Sequence, residues 1–191
     1  RRRFDGSLSS GAADRAAMAF GAGVGITFMT KGLFLPLVFG ATLCTLPVLY
    51  PACRGREFGR AMGIAALAFA PFGLIWPIAF YHRSPALFKV WFWDNNVGRF
   101  FGFSVSTLGS ENNKPLFVLR ALLTAAFPAG PLALAALATG AWRRWRAPSI
   151  ALPAVFAAVG IAVLQTSATA RELYLLPFVA PLALIAGQQL E

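Results

Sequence analysis

Six stretches of this chain contain no Asp, Glu, Lys, Arg or His: 16–30, 32–53, 61–81, 121–142, 147–170 and 173–190. An α-helix rises about 1.5 Å per residue, so about 20 apolar residues cross a hydrocarbon core of about 30 Å. Backbone N–H and C=O groups in that core must be satisfied within the segment, which leaves helices as the default for runs of this length. The runs therefore predict an all-α, multi-pass transmembrane bundle of about six spans in a single domain. The first run is the shortest and reaches only about 22 Å as a helix. It leaves Lys31 close to the membrane edge.

With 58% hydrophobic and 13% charged residues, the chain is far less charged than a soluble domain, which runs near a quarter. A net charge of +10 would suit a nucleic-acid binder only if the cations formed a face on a soluble fold. Here they lie in short clusters between apolar runs, so no nucleic-acid partner is expected. Cys44 and Cys53 sit in or at the end of an apolar run without a metal or disulfide pattern. Nothing indicates a cofactor, and no spacing suggests a divalent metal.

Orientation follows the retention of Lys and Arg on the cytoplasmic side of short loops. A cytoplasmic N-terminus puts Arg1, Arg2, Arg3, Arg15, Arg54, Arg56, Arg60, Arg143, Arg144 and Arg146 inside. Lys31, Arg83, Lys89, Arg99, Lys114, Arg120 and Arg171 then lie outside, spread over longer connections. The long connection 82–120 becomes an outer loop. Its Phe88, Trp91, Phe92, Trp93, Phe100, Phe101 and Phe103 are too apolar for free solution and suit helices lying among head groups. A short interfacial helix is expected over about 85–92, followed by a turn at Asn95-Asn-Val-Gly-Arg99. His82, the sole histidine, reads as an interfacial residue at a helix end.

Four patterns follow one another along the chain. The first is Gly21-Ala-Gly-Val-Gly-Ile-Thr-Phe-Met-Thr-Lys31-Gly32. The second is Phe92-Trp-Asp-Asn-Asn-Val-Gly-Arg99-Phe-Phe-Gly102, and the third is Asn112-Asn-Lys114-Pro-Leu-Phe117, ahead of Phe127-Pro128. The fourth is Ser167-Ala-Thr-Ala-Arg171-Glu-Leu-Tyr174-Leu-Leu-Pro177. In their order and spacing they resemble the protein O-mannosyltransferase and aminoarabinose-transferase family, multi-pass enzymes of the C-type glycosyltransferase fold. The resemblance covers about 21–187 and corresponds to the C-terminal portion of such an enzyme.

The resemblance implies a bacterial inner-membrane enzyme that moves a hexosyl or pentosyl group from a polyprenyl-phosphate donor. Transfer would occur on the outer face, to a protein, lipid or glycan acceptor. It also places the family's key acidic residue on a first outer loop upstream of the matching segment, so the catalytic loop is expected to be missing here and no residue of this chain is assigned as catalytic. Asp94, Glu111 and Glu172 are the acids on the predicted outer side; the position of Asp94 is not the catalytic acid in the family. Two departures, Asn112 where relatives often carry His and Ala129 where they often carry Trp, bear on the acceptor and the sugar.

The expected substrate-binding residues are Lys31, Asn95, Arg99, Lys114, Arg171 and Tyr174, all on the predicted outer side. As a sugar leaves a lipid phosphate, negative charge grows on that phosphate, and fixed cations in a poorly hydrated site stabilise it. Arginine grips phosphate oxygens in two-pronged fashion, and lysine adds a compact charge. Each residue also has a plain structural alternative. Lys31 can snorkel to the head groups, Arg99 can pair or stack on an aromatic face, Lys114 can be solvated, Asn95 and Asn96 can cap a helix, and Arg171 can anchor one. Two other functions compete, a transporter or flippase segment and a non-catalytic membrane subunit. Transport calls for ionisable groups in mid-span, which these six runs lack.

Overall fold

A computed structural model describes residues 10–104, 116–139 and 147–187. Every regular element among them is helical. The chain divides into two compact units: one holds residues up to Leu37 and Leu43–Phe88, the other Val38–Thr42 and the chain from Lys89 onward.

In the first unit, α1 (Ser10–Lys31) packs on α3 (Arg56–Ala70). The contact face of α1 is Ala17, Gly21, Gly25 and Phe28, all buried at near-helical spacing. A Cβ on Gly21 would meet the backbone of Ala65, and one on Gly25 would meet the ring of Phe72. Small residues here let two backbones approach closely, which is how apolar helices associate where lipid removes the hydrophobic driving force. Gly21 and Gly25 of the first motif are therefore part of a packing surface. The helix stops because Gly32 takes φ 70°, a left-handed conformation open to a residue without Cβ, and its N–H bonds to the Phe28 carbonyl at 2.9 Å.

Phe28 packs edge-on against Phe69 and Trp76. From α3 the chain runs through a π-helical turn, Pro71–Ile75, into α4 (Trp76–Arg83). In sequence α1 is followed by α2 (Phe34–Leu49), whose residues Val38–Thr42 belong to the second unit and which ends before Pro51. Arg54 Nε donates to the Pro47 carbonyl at 2.6 Å, so this cation covers the open C-terminal carbonyls of α2.

The first unit ends within α5 (Pro85–Lys89), and the second continues as a π-helix, Val90–Gly98, and then α6 (Arg99–Phe101). Further on come α7 (Phe117–Thr124) and α8 (Ala129–Thr139), bent by 100° relative to one another. A Cβ on Gly130 would strike the Leu122 carbonyl, so the bend brings the two helices into close contact. Next are α9 (Pro148–Thr166), a 3-10 turn at Glu172–Leu175, and α10 (Leu176–Gly187), with α10 packed on both α8 and α9. Phe178 is fully buried between Phe156 and Gly160, and Phe156 also meets Phe39.

Among the described residues, two helices are long and apolar enough to cross a membrane: Arg56–Arg83 and Pro148–Thr166. The bent pair Phe117–Thr124 and Ala129–Thr139 makes a third if it counts as one span. The other expected spans differ for local reasons. Charged Asp14, Arg15 and Lys31 and several glycines dilute the apolar character of α1. Pro51 ends α2 at 16 residues, and α10 is described for 12.

Candidate functional site

The second and fourth motifs are joined directly. The Thr169 hydroxyl donates to the Arg99 carbonyl at 3.1 Å, and the Ala168 N–H donates to the Phe100 carbonyl at 2.9 Å. Thr169 and Ala170 are buried, and Arg99 is half-buried with its Nε shielded from solvent. Two adjacent bonds between segments so far apart in sequence fix both the approach and the register of the two strands of chain.

The local folding of the second motif explains how Arg99 is presented. Helix continues through Asn95 and Asn96, where a turn was expected, and the reason lies in the wider π-helical winding. Asn95 Nδ2 donates to the Val90 carbonyl at 3.1 Å and Asn96 Nδ2 to the Trp91 carbonyl at 2.7 Å, both five residues back. The side-chain amides thus reinforce the π-helix rather than cap its end. The turn falls at Gly102, with φ 91°. The chain then folds back over Gly98, whose carbonyl accepts from the N–H groups of Gly102 (2.8 Å) and Ser104 (3.3 Å). A Cβ on Gly98 would collide with the Ser104 side chain. Buried Ser104 also donates to Asp94 Oδ1 at 3.4 Å, which makes that carboxylate a partner in this fold-back.

Arg171 is exposed and extended, immediately before the 3-10 turn. Its carbonyl accepts from the Tyr174 N–H at 2.9 Å, so the two lie at the ends of one turn, with Tyr174 half-buried. Asn95 is exposed. Of the expected set, then, the structure draws Arg99 onto the loop that carries Arg171 and Tyr174, with Asn95 one helical turn before Arg99. Lys31 is exposed at the end of α1 in the other unit. Lys114 and Glu111 lie outside the described residues, as do Asn112, Arg143, Arg144 and Arg146. Thr169, Ser104 and Gly98 were not singled out from sequence. The one signal for Thr169 is a short polar interruption, Ser-Ala-Thr-Ala, between two apolar runs.

Among the described residues no group of His, Cys, Asp and Glu is arranged to hold a metal ion. What the loop and helix offer is cationic and hydrogen-bonding chemistry beside an exposed aromatic surface, in which Trp93 packs on Phe103.

Sequence comparison gives the same direction. An undecaprenyl phosphate-alpha-4-amino-4-deoxy-L-arabinose arabinosyl transferase from Pseudomonas savastanoi pv. phaseolicola is 29% identical over 170 residues, 89% of this chain and 31% of the relative. One from Pseudomonas fluorescens is 27% identical over 168 residues, 88% of this chain and 28% of the relative. One from Pseudomonas aeruginosa is 28% identical over 171 residues, 89% and 30% respectively. The chain is similar to polyprenyl-phosphate-sugar glycosyltransferases. It spans less than a third of the length of these relatives. Their names fit the aminoarabinose side of the resemblance seen in the motifs, and none carries the mannosyltransferase name. No protein-family profile and no solved structure matches the chain.

Proposed function

We propose that this chain is part of a bacterial inner-membrane glycosyltransferase that uses a polyprenyl-phosphate-linked sugar. Its role is to bind the donor's phosphate on the outer face. The observation that carries this is the docking of the Arg99 segment onto the loop that carries Arg171 and Tyr174. Two arginines on segments held together by hydrogen bonds suit a dianionic or monoanionic phosphate ester, because the guanidinium forks onto paired oxygens.

In this reading Arg99 and Arg171 hold the phosphate as the bond to the sugar breaks, and they stabilise the charge that develops there. Tyr174 and Asn95 supply hydrogen bonds to the same donor. Lys31 and Lys114 are further phosphate cations on the sequence pattern alone. The acids of this chain are not assigned as the base that deprotonates the acceptor, and Asp94 serves the fold-back with Ser104. The transferred group is a pentose or hexose, and the acceptor is a protein, lipid or glycan.

The hydrogen-bonded pair also goes with a particular membrane topology in this reading. Only α7, α8 and α9 among the described helices lie between Arg99 and Thr169, yet those residues are hydrogen-bonded. A 19-residue α9 extends about 28 Å, enough to cross. In this reading the bent pair crosses in the opposite sense and returns the chain to the same side. Both motifs lie outside in this reading. The exposed side chains of Leu87, Trp93, Phe101 and Phe103 face head groups and upper acyl chains in this arrangement.

The test is sugar transfer from an undecaprenyl-phosphate-linked aminopentose by the full-length protein in vesicles. Arg99→Ala and Arg171→Ala are expected to lower turnover by about tenfold to a hundredfold, the loss of a charged hydrogen bond to phosphate. Normal transfer by both variants contradicts the assignment.

A further inference from the structure

We infer that Thr169 is a positioning residue whose hydroxyl sets the backbone at Arg99 and thereby the aim of its guanidinium. The inference rests on the reading of Arg99 as a phosphate ligand. It adds that the aim of that ligand is controlled from the other motif.

The Thr169 side chain is buried, 6% exposed, in the loop between α9 and α10. A buried hydroxyl costs free energy unless it is hydrogen-bonded, and this one spends its proton on the Arg99 carbonyl at 3.1 Å. The neighbouring bond, Ala168 N–H to the Phe100 carbonyl, is made by backbone and survives any side-chain change. It therefore fixes the approach of the loop. The Thr169 bond instead acts on the rotation of the peptide that follows Arg99. On the other side of Arg99 the Gly98 carbonyl is held by Gly102 and Ser104. Arg99 is thus clamped at both flanking carbonyls, one by its own fold-back and one by Thr169. A ligand that must meet developing charge within a fraction of an ångström needs such support, since a small misplacement lowers rate more than affinity.

A purely structural role for Thr169 makes a different prediction, and a double-mutant cycle separates the two. Thr169→Val keeps shape and β-branching but removes the hydroxyl; Thr169→Ser restores it. In the full-length protein, Thr169→Val is expected to lower kcat for transfer from undecaprenyl-phosphate-linked sugar by about tenfold, with KM changed by less than about threefold. Thr169→Ser is expected to recover to within about twofold of the parent. In an Arg99→Ala background, Thr169→Val should cost no further turnover, because there is no guanidinium left to aim. Its effect on thermal unfolding in detergent should be the same in both backgrounds.

Additive losses of turnover, or unchanged kcat in Thr169→Val when Arg99→Ala alone is impaired, overturn the positioning role and leave the phosphate reading intact. Normal turnover in Arg99→Ala instead removes Arg99 as a phosphate ligand, and the positioning role with it, whatever Thr169 does. Should Thr169→Val fail to insert, Thr169→Ser and Thr169→Cys decide by rank: a hydroxyl variant better than the thiol supports positioning, and equal variants overturn it.

Discussion

The hydroxyl of Thr169 donates to the carbonyl of Arg99 although 70 residues of chain separate them. A bond of this length holds the second and fourth motifs side by side. The orientation proposed from the arginine and lysine distribution puts both motifs outside, and it is open to a direct test.

Labelling with a membrane-impermeant thiol reagent checks the topology. With Cys44 and Cys53 replaced, Ser110→Cys and Leu173→Cys are expected to react from the periplasmic side of intact cells. Gly55→Cys is expected to react only after the inner membrane is opened. Opposite accessibility at positions 110 and 173 removes the return crossing by α7 and α8. Joint labelling of all three only after opening reverses the orientation.

The glycine face of α1 yields a graded prediction. Gly21 and Gly25 meet Ala65 and Phe72, while a Cβ at Gly23 meets nothing within 4 Å. Gly21→Leu and Gly25→Leu are expected to lower stability in detergent by about 1–3 kcal/mol, the usual cost of overpacking. Gly23→Leu should stay near the parent. Equal effects at all three positions in thermal unfolding contradict the assignment of that face.

Burial of Phe178 between Phe156 and Gly160 holds α10 against α9, the helix that precedes Thr169. Phe178→Ala is expected to destabilise the protein by about 3 kcal/mol, from lost contacts and a residual cavity. Phe178→Leu should recover most of this. A melting temperature unchanged by Phe178→Ala would show that α9 and α10 do not depend on this contact.

Much of this was legible in the sequence, for physical reasons. Charge-free runs announce helices because lipid leaves the backbone few alternatives, and Lys31-Gly32 announces a helix end because glycine accepts a positive φ. The aromatics of 82–120 announced helix near 85–92, where α5 and the π-helix begin. The turn expected at Asn95–Arg99 was not there, because side-chain amides reaching back five residues stabilise a winding that residue propensities do not encode. Thr169 was silent for another reason. A lone hydroxyl in a small-residue loop acquires meaning only when tertiary structure brings a carbonyl to it.

Charge and geometry separate at the two arginines. Arg99→Lys and Arg171→Lys are expected to recover only part of the turnover lost in the alanine variants, since lysine restores the charge without the fork. Arg56→Ala, at an exposed position at the start of α3, should leave turnover within about twofold, as surface substitutions usually do. Full recovery by lysine in steady-state assays would reduce the role of both arginines to charge alone.

The central claim concerns phosphate recognition, and equilibrium binding tests it without depending on the acceptor or the base. Undecaprenyl phosphate and undecaprenol should be titrated into the full-length protein in nanodiscs, followed by native mass spectrometry. The account predicts that the phosphate binds at least about tenfold more tightly than the alcohol, and that the preference is lost in the Arg99→Ala/Arg171→Ala double variant. Equal affinity for phosphate and alcohol, or a preference that survives loss of both arginines, contradicts it.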